Sequence, residues 1–198
     1  MRRMAVLTAA MIALSATMVQ ARPTPELRPF VGAYIPTGDQ SHVLTGSASI
    51  GVQLAVEIHD NIHLVGTLAY ATPGARRSTI GQDVHIHQYD VGAELFRTVP
   101  VSSDPRVTVR PFVGAGFGTR THDFFDRDDT PAQTYLAGYG ALGAEIQREQ
   151  MALRLEVRDY VTRFKGLLGG EPARARNDLM VGAGVVFHIW PPGTRTRR

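Results

Sequence analysis

Ser49-Ile50-Gly51-Val52-Gln53-Leu54-Ala55-Val56-Glu57-Ile58 is the stretch that decides the fold. Ile50, Val52, Leu54, Val56 and Ile58 fall on one side of an extended chain, and Ser49, Gly51, Gln53, Ala55 and Glu57 fall on the other. A period of two belongs to a strand. Wound as a helix, the segments that share this pattern would scatter charge round their whole circumference.

The same parity returns along the chain. Ile62, Leu64, Leu68 and Tyr70 oppose His63 and Thr67; Leu153, Leu155 and Val157 oppose Arg154, Glu156 and Arg158; Leu179, Val181, Ala183, Val185, Phe187 and Ile189 oppose Asp178, Gly182, Gly184 and His188. Eight such segments, each of roughly ten to fourteen residues, run from Leu27 to Trp190. The breaks between them alternate. Long ones fall at Thr37 to Ser47, Thr72 to Asp83, Thr121 to Gln133 and Lys165 to Arg176; tight ones fall at His59 to Asn61, Val99 to Arg106 and Gln147 to Gln150. Long outside loops and short periplasmic turns are the rhythm of an outer-membrane barrel. The sequence therefore predicts an all-β fold: an eight-stranded antiparallel up-and-down transmembrane β-barrel, with both termini periplasmic.

Residues 1–21 read as a secretory signal. Arg2 and Arg3 open it, an apolar run follows from Met4 to Val19, and Val19-Gln20-Ala21 has the small-residue pattern of a cleavage site. The run is shorter than the roughly 20 residues of a spanning helix. The barrel domain is assigned to residues 22–190, and residues 191–198 form a short basic periplasmic tail. The whole chain has 21 Lys+Arg against 18 Asp+Glu. Losing the signal removes Arg2 and Arg3 and no acid, so the charge nearly balances and no concentrated basic face remains for nucleic acid. The absence of cysteine excludes a disulfide framework and any thiolate metal site.

The non-apolar face carries glycines and a small set of charges. Arg28, Glu57, His63, Glu94, Arg110, Glu145, Arg154, Glu156 and Arg158 share it, with Asp90. Glu57, Glu94 and Glu145 lie a few residues before a tight turn, and His63, Arg110 and Arg154 a few residues after one. In a closed barrel this predicts a ring of alternating carboxylates and guanidiniums in the lower lumen, where arginine's planar fork suits bidentate pairing. An eight-strand interior is just wide enough for side chains to fill it, so the expectation is a plugged lumen and no open pore. The ring is read as structural, because inward charges in a lipid-embedded barrel must pair or meet water. His188 is read as a hydrogen-bonded lumenal residue near the base.

Arg28-Pro29-Phe30-Val31-Gly32-Ala33 recurs as Arg110-Pro111-Phe112-Val113-Gly114-Ala115. This suggests two similar four-strand halves, roughly 27–98 and 106–190. Parity turns Phe30 and Phe112 inward, over neighbouring glycines. The aromatics Phe30, Tyr34, Tyr70, Phe96, Phe112, Phe124, Phe125, Tyr135, Tyr160, Phe164 and Trp190 gather near segment ends, as interface girdles would.

Other readings are weighed against this one. A soluble lipocalin-like carrier has the same alternation turned inside out, but the charged face here is rich in glycine and poor in lysine, unlike a water-facing surface. A lipid A modifying enzyme would need serine, histidine and a carboxylate near one rim. Ser41, His42, Ser78, His85, His87, Asp90, His122 and Asp123 are the rim residues available, and they form no recognisable catalytic word. A metal site is a weaker thought still: His85 and His87 are two apart on one strand face, and His122 opens the acidic loop 122–129. The expectation is neither catalysis, cofactor nor resident metal.

The signal, the Pro-Phe-Val-Gly-Ala strands, the Glu156-x-Arg158-Asp159-Tyr160 word and the aromatic-ended last strand together resemble the OmpA/OmpX-like small outer-membrane β-barrel domain family. The resemblance covers nearly the whole mature chain. It implies an integral protein of the cell outer membrane with a structural or surface-interaction role in envelope integrity or adhesion. It also implies a terminal aromatic, Phe187 or Trp190, read by the insertion machinery. Expected partners are outer-membrane lipids, that machinery and an unidentified extracellular ligand met by the long loops.

Overall fold

The computed structural model describes residues 25–42, 44–74, 84–101, 106–124, 132–148, 151–164 and 174–189. Alternation becomes strand wherever it was read: β1 Pro25–Pro36, β2 Ser47–His59, β3 Ile62–Ala71, β4 Val84–Phe96, β6 Val107–Phe124, β7 Gln133–Arg148, β8 Met151–Phe164 and β9 Arg174–His188. A two-residue strand, β5 Val99–Pro100, pairs with β6 beside the β4–β6 turn. Every neighbouring pair is antiparallel, and β4 with β6 closes the sheet into a barrel of eight long strands. The signal 1–21, the tail 191–198 and Trp190 lie outside the described residues.

Three strands exceed the predicted length, β9 by a single residue at 15. β6 has 18 residues and β7 has 16, so His122 and Asp123, read as loop, continue the ladder opposite Ile86 and His85. The tight turn after β2 is made by Asp60 and Asn61, and Asn61 adopts φ 69°, a left-handed conformation that asparagine tolerates better than most residues. Pro25 and Ile189, the first and last described residues, meet at the end of the barrel that holds the short turns, with Ile189 N donating to Pro25 O at 3.0 Å; the strands run into the long connections at the other end.

Register fixes the geometry. A path of ladder partners starting at Pro25 crosses Val56, Leu64, Ala93, Ala115, Gly140, Asp159 and Leu179, and returns to β1 at Ile35, ten residues farther up the strand. That stagger sets a steep strand tilt, and the strand number of eight keeps the bore narrow. The repeated words begin at Arg28 on β1 and Arg110 on β6, four strands apart and so on opposite walls of the barrel.

Parity fixes the faces. Val31, Leu54, Val91, Val113, Phe117, Leu136, Leu142 and Leu155 stand on the outside, with Leu136 70% and Phe117 64% exposed. Arg28, Gln53, His63, Glu94, Glu145, Arg154 and Arg158 are buried inside. A lipocalin-like carrier requires the reverse arrangement, and an apolar exterior of this extent has no stable contact with water.

Candidate functional site

The lumen is filled in two layers. The lower one is built from side chains near the short-turn end and at mid-height. Arg154 is its hub: Nη1 donates to Glu145 Oε1 at 2.8 Å, Nη2 to Glu94 Oε1 at 2.6 Å and Nε to Glu156 Oε2 at 2.8 Å. Arg28 Nη1 donates to Glu94 Oε2 at 2.8 Å and Nε to Glu26 Oε2 at 3.0 Å. Arg158 Nη1 donates to Asp90 Oδ1 at 3.0 Å and Thr67 Oγ1 at 2.9 Å, and its Nε pairs with Glu156. Glu94 thus joins guanidiniums from β1 and β8, and Glu145 holds Arg154 while lying 3.6 Å from Arg110. His63 sits between Arg28 and Arg110, with Nδ1 at 2.9 Å and Nε2 at 3.4 Å from their Nη2 atoms.

Of the predicted ring residues, this places Arg28, His63, Glu94, Arg110, Glu145, Arg154, Glu156 and Arg158 in one connected set. Glu57 stands apart: half-buried beside the irregularity between Glu57 and His59, it joins no ion pair among the described residues. Glu26 was missed, because the first segment was counted from Leu27. It is buried and touches Arg28, His63 at 3.6 Å and His188 at 3.4 Å.

Aromatic rings line the charges. Arg154 lies 3.8 Å from the Phe112 ring centroid, Arg110 4.6 Å from that of Phe96 and Arg158 4.6 Å from that of Tyr139. Guanidinium over a ring face is attractive and does not consume its in-plane donors. This corrects the girdle: Tyr34, Phe96, Phe112 and Tyr160 are buried in the lumen, and Tyr139, not singled out before, joins them. The ring of Phe30 lies over Gly51, where an added Cβ would meet its Cζ at 2.4 Å, and Phe112 covers Gly143 in the same way at 2.5 Å. A cavity of about 20 Å³ remains beside Phe30, Gln53, Thr67, Arg154, Glu156 and Met180, room for roughly one water.

The upper layer is different. Arg120 Nε donates to Gln88 Oε1 at 2.8 Å and its Nη1 pairs with Asp178, which also accepts from Tyr34 OH at 2.8 Å. Around this pair Val84, Ile86, Ala69, Ala71, Ala137, Tyr160 and Met180 form an apolar cluster. Into it the first long loop inserts Leu44, fully buried, while Gln40 Nε2 donates to Tyr34 OH at 2.9 Å. The loop's 3-10 turn, Gly38–His42, leads to Thr45, whose N–H donates to Gly74 O at 2.8 Å. Among the described residues, Leu44 and Gln40 are what the loops contribute to the upper layer.

The rim residues do not assemble. His85 and His87 point outward from β4, with Tyr70 OH hydrogen-bonded to His85 Nδ1 and its ring 5.1 Å from that of His87. His122 points inward, buried, against the ring of Tyr135 at 5.9 Å. Asp90 is taken up by Arg158 and by Tyr160 OH at 2.8 Å. Among the described residues no three His, Asp or Glu are grouped to hold a metal. Ser78 and residues 125–129 lie outside the described residues. Phe187 stands outward on β9 between Leu27 and Met151.

An eight-stranded antiparallel barrel, apolar outside and ion-paired within, has the architecture of the small outer-membrane barrels. No family model matches the chain and no curated protein does. Solved structures do. Neisserial surface protein A is similar over 85% of this chain and 100% of its own, with 11% identity and a TM-score of 0.58. The N-terminal β-barrel domain of Pseudomonas aeruginosa OprF matches over 83% of this chain and 96% of its own at 16% identity and TM-score 0.49. Ail, the attachment invasion locus protein of Yersinia pestis, matches over 83% and 98% at 12% identity and TM-score 0.46. The likeness is one of fold.

Proposed function

We propose that this chain is an integral outer-membrane barrel with a structural or surface-interaction role, non-conducting and non-catalytic, exported by residues 1–21. One observation carries the reading: Arg154, anchored on β8, is held at once by Glu94 of β4, Glu145 of β7 and Glu156 of its own strand, so side chains span the bore. A pore needs a continuous water column, and such a network replaces it. The apolar exterior suits acyl chains, Phe187 and Trp190 suit the insertion machinery, and the long loops at the end opposite the termini suit an extracellular ligand. The engagement of Asp90, His85 and His122 elsewhere supports the absence of acyl chemistry at the rim.

Reconstitution tests this. Liposomes carrying the folded barrel should swell in arabinose no faster than protein-free ones, and the protein should release no acyl chain from radiolabelled lipid A. Steady solute entry through the unmodified barrel would overturn the closed reading, and acyl release the non-catalytic one. Cysteines placed at His42 and Asn61 in intact cells report the orientation: an impermeant reagent should label the first and spare the second.

A further inference from the structure

The upper lumen has the composition of a binding pocket, and its occupant is a piece of the protein. Ligand sites are apolar cavities with a few convergent polar groups. Here the walls are Val84, Ile86, Ala71, Ala137 and Met180, and the polar groups form a chain from Gln40 through Tyr34, Asp178 and Arg120 to Gln88. Leu44 fills the apolar part and belongs to a loop, not a strand. What holds it down is modest: the Gln40–Tyr34 hydrogen bond, the Thr45–Gly74 bonds and Thr37 to Asn177 O.

Two donors in this upper layer are left over. Arg120 is fully buried and its Nη2 makes no hydrogen bond among the described residues; nor does Nε2 of Gln88, its partner across the β4–β6 ladder. Thr162 Oγ1, also buried, has none. A buried N–H left unpaired costs free energy, and here two lie on residues paired across one ladder. Asp178 does not serve them, since its oxygens are engaged by Arg120 Nη1 and Tyr34. The group that fits is an acceptor, and facing a guanidinium the favoured acceptor is an anion.

We propose that the upper lumen is a site for a small amphipathic carboxylate, with its head on Arg120 Nη2 and Gln88 Nε2 and an apolar body of about leucine's size where Leu44 lies. The strap at Gly38–His42 and Leu44 is a built-in competitor: the ligand enters from the long-loop side as the strap lifts. Apparent affinity is then reduced by the fraction of molecules whose strap is closed.

The test is an NMR titration of the full folded barrel in detergent with hexanoate, following the side-chain N–H signals of Gln88 and Arg120, with hexylamine and hexanol as controls. Hexanoate should shift both signals in a saturable way. Leu44→Ala should tighten binding about tenfold by removing the competitor. Gln40→Ala, which frees the strap without touching Leu44, should tighten it by a smaller factor. Gln88→Met in the Leu44→Ala background should weaken hexanoate several-fold while the Arg120–Asp178 pair and the folded gel mobility persist. Signals unmoved by hexanoate in both strap variants would overturn the site. Equal response to hexylamine or hexanol, or indifference to Gln88→Met, would reduce it to a nonspecific cavity and overturn it as well.

Discussion

The two ends of the lumen are made from the same set of inward strand positions and are filled by opposite means. Near the short turns, Arg28, Arg110, Arg154 and Arg158 meet Glu26, Asp90, Glu94, Glu145 and Glu156, and side chains alone close the bore. Near the long loops, one pair, Arg120 with Asp178, sits among apolar and tyrosine side chains under Leu44. The cause is connection length. A turn of two residues such as Asp60-Asn61 has no chain to fold back, so long side chains must reach across. A loop of the length between β1 and β2 carries its own stopper. The base is therefore a fixed plug and the mouth a removable one.

This contrast is open to attack. Arg154→Ala removes the guanidinium that Glu94, Glu145 and Glu156 share, leaving three clustered carboxylates with only Arg28, Arg110 and Arg158 to offset them, and should cost about 3–5 kcal/mol, read as loss of heat-modified gel mobility at lower temperature and lower urea. Gly143→Ala comes next, at about 1–3 kcal/mol, because the new Cβ would stand 2.5 Å from Phe112 Cζ and 2.2 Å from Leu155 O, and the second of these is backbone. At the mouth, Leu44→Ala should be seen chiefly as faster proteolysis of the first long loop with the barrel transition little changed, because the loop opens locally before the barrel unfolds. If the global transition fell as far as in Arg154→Ala, the distinction between fixed and removable plugs would be lost. Smallest of all, Glu57→Gln should stay within about 0.5 kcal/mol of the parent, since no ion pair depends on it; a larger loss would draw Glu57 into the lower network.

Parity made the faces legible. Period two in Ile50 to Ile58 and in Leu153 to Val157 separates lipid from lumen, and with the alternating breaks it is enough for strand number and topology. Height was not legible, because it depends on a stagger that accumulates over all eight ladders and leaves no local mark. That is why Arg28 and Arg110, identical in local sequence, have unequal surroundings: Arg28 is buried at the network's centre and Arg110 is more open at its edge. The girdle failed for another reason: Tyr34, Phe96, Phe112 and Tyr160 lie near segment ends, yet parity puts each on the inward face beside Arg28, Glu94, Arg110 and Arg158. Glu26 and Arg120 were lost at segment boundaries, and His122 was lost because β6 runs farther than its alternation of apolar residues. Leu44 gave no signal, since a single leucine in a polar loop has no period.

The bonds Tyr34–Asp178 and Glu26–His188 both cross the seam where the first strand meets the last. Arg28 on that first strand has its deepest partner, Glu94, 66 residues away. A sheet that entered the bilayer before the seam shut would carry guanidiniums and carboxylates into acyl chains without their mates, which is costly. Assembly must then bring both edges together while the charges neutralise one another. Partly zipped intermediates should be scarce, and the final strand's arrival should be the step that commits the molecule to the membrane.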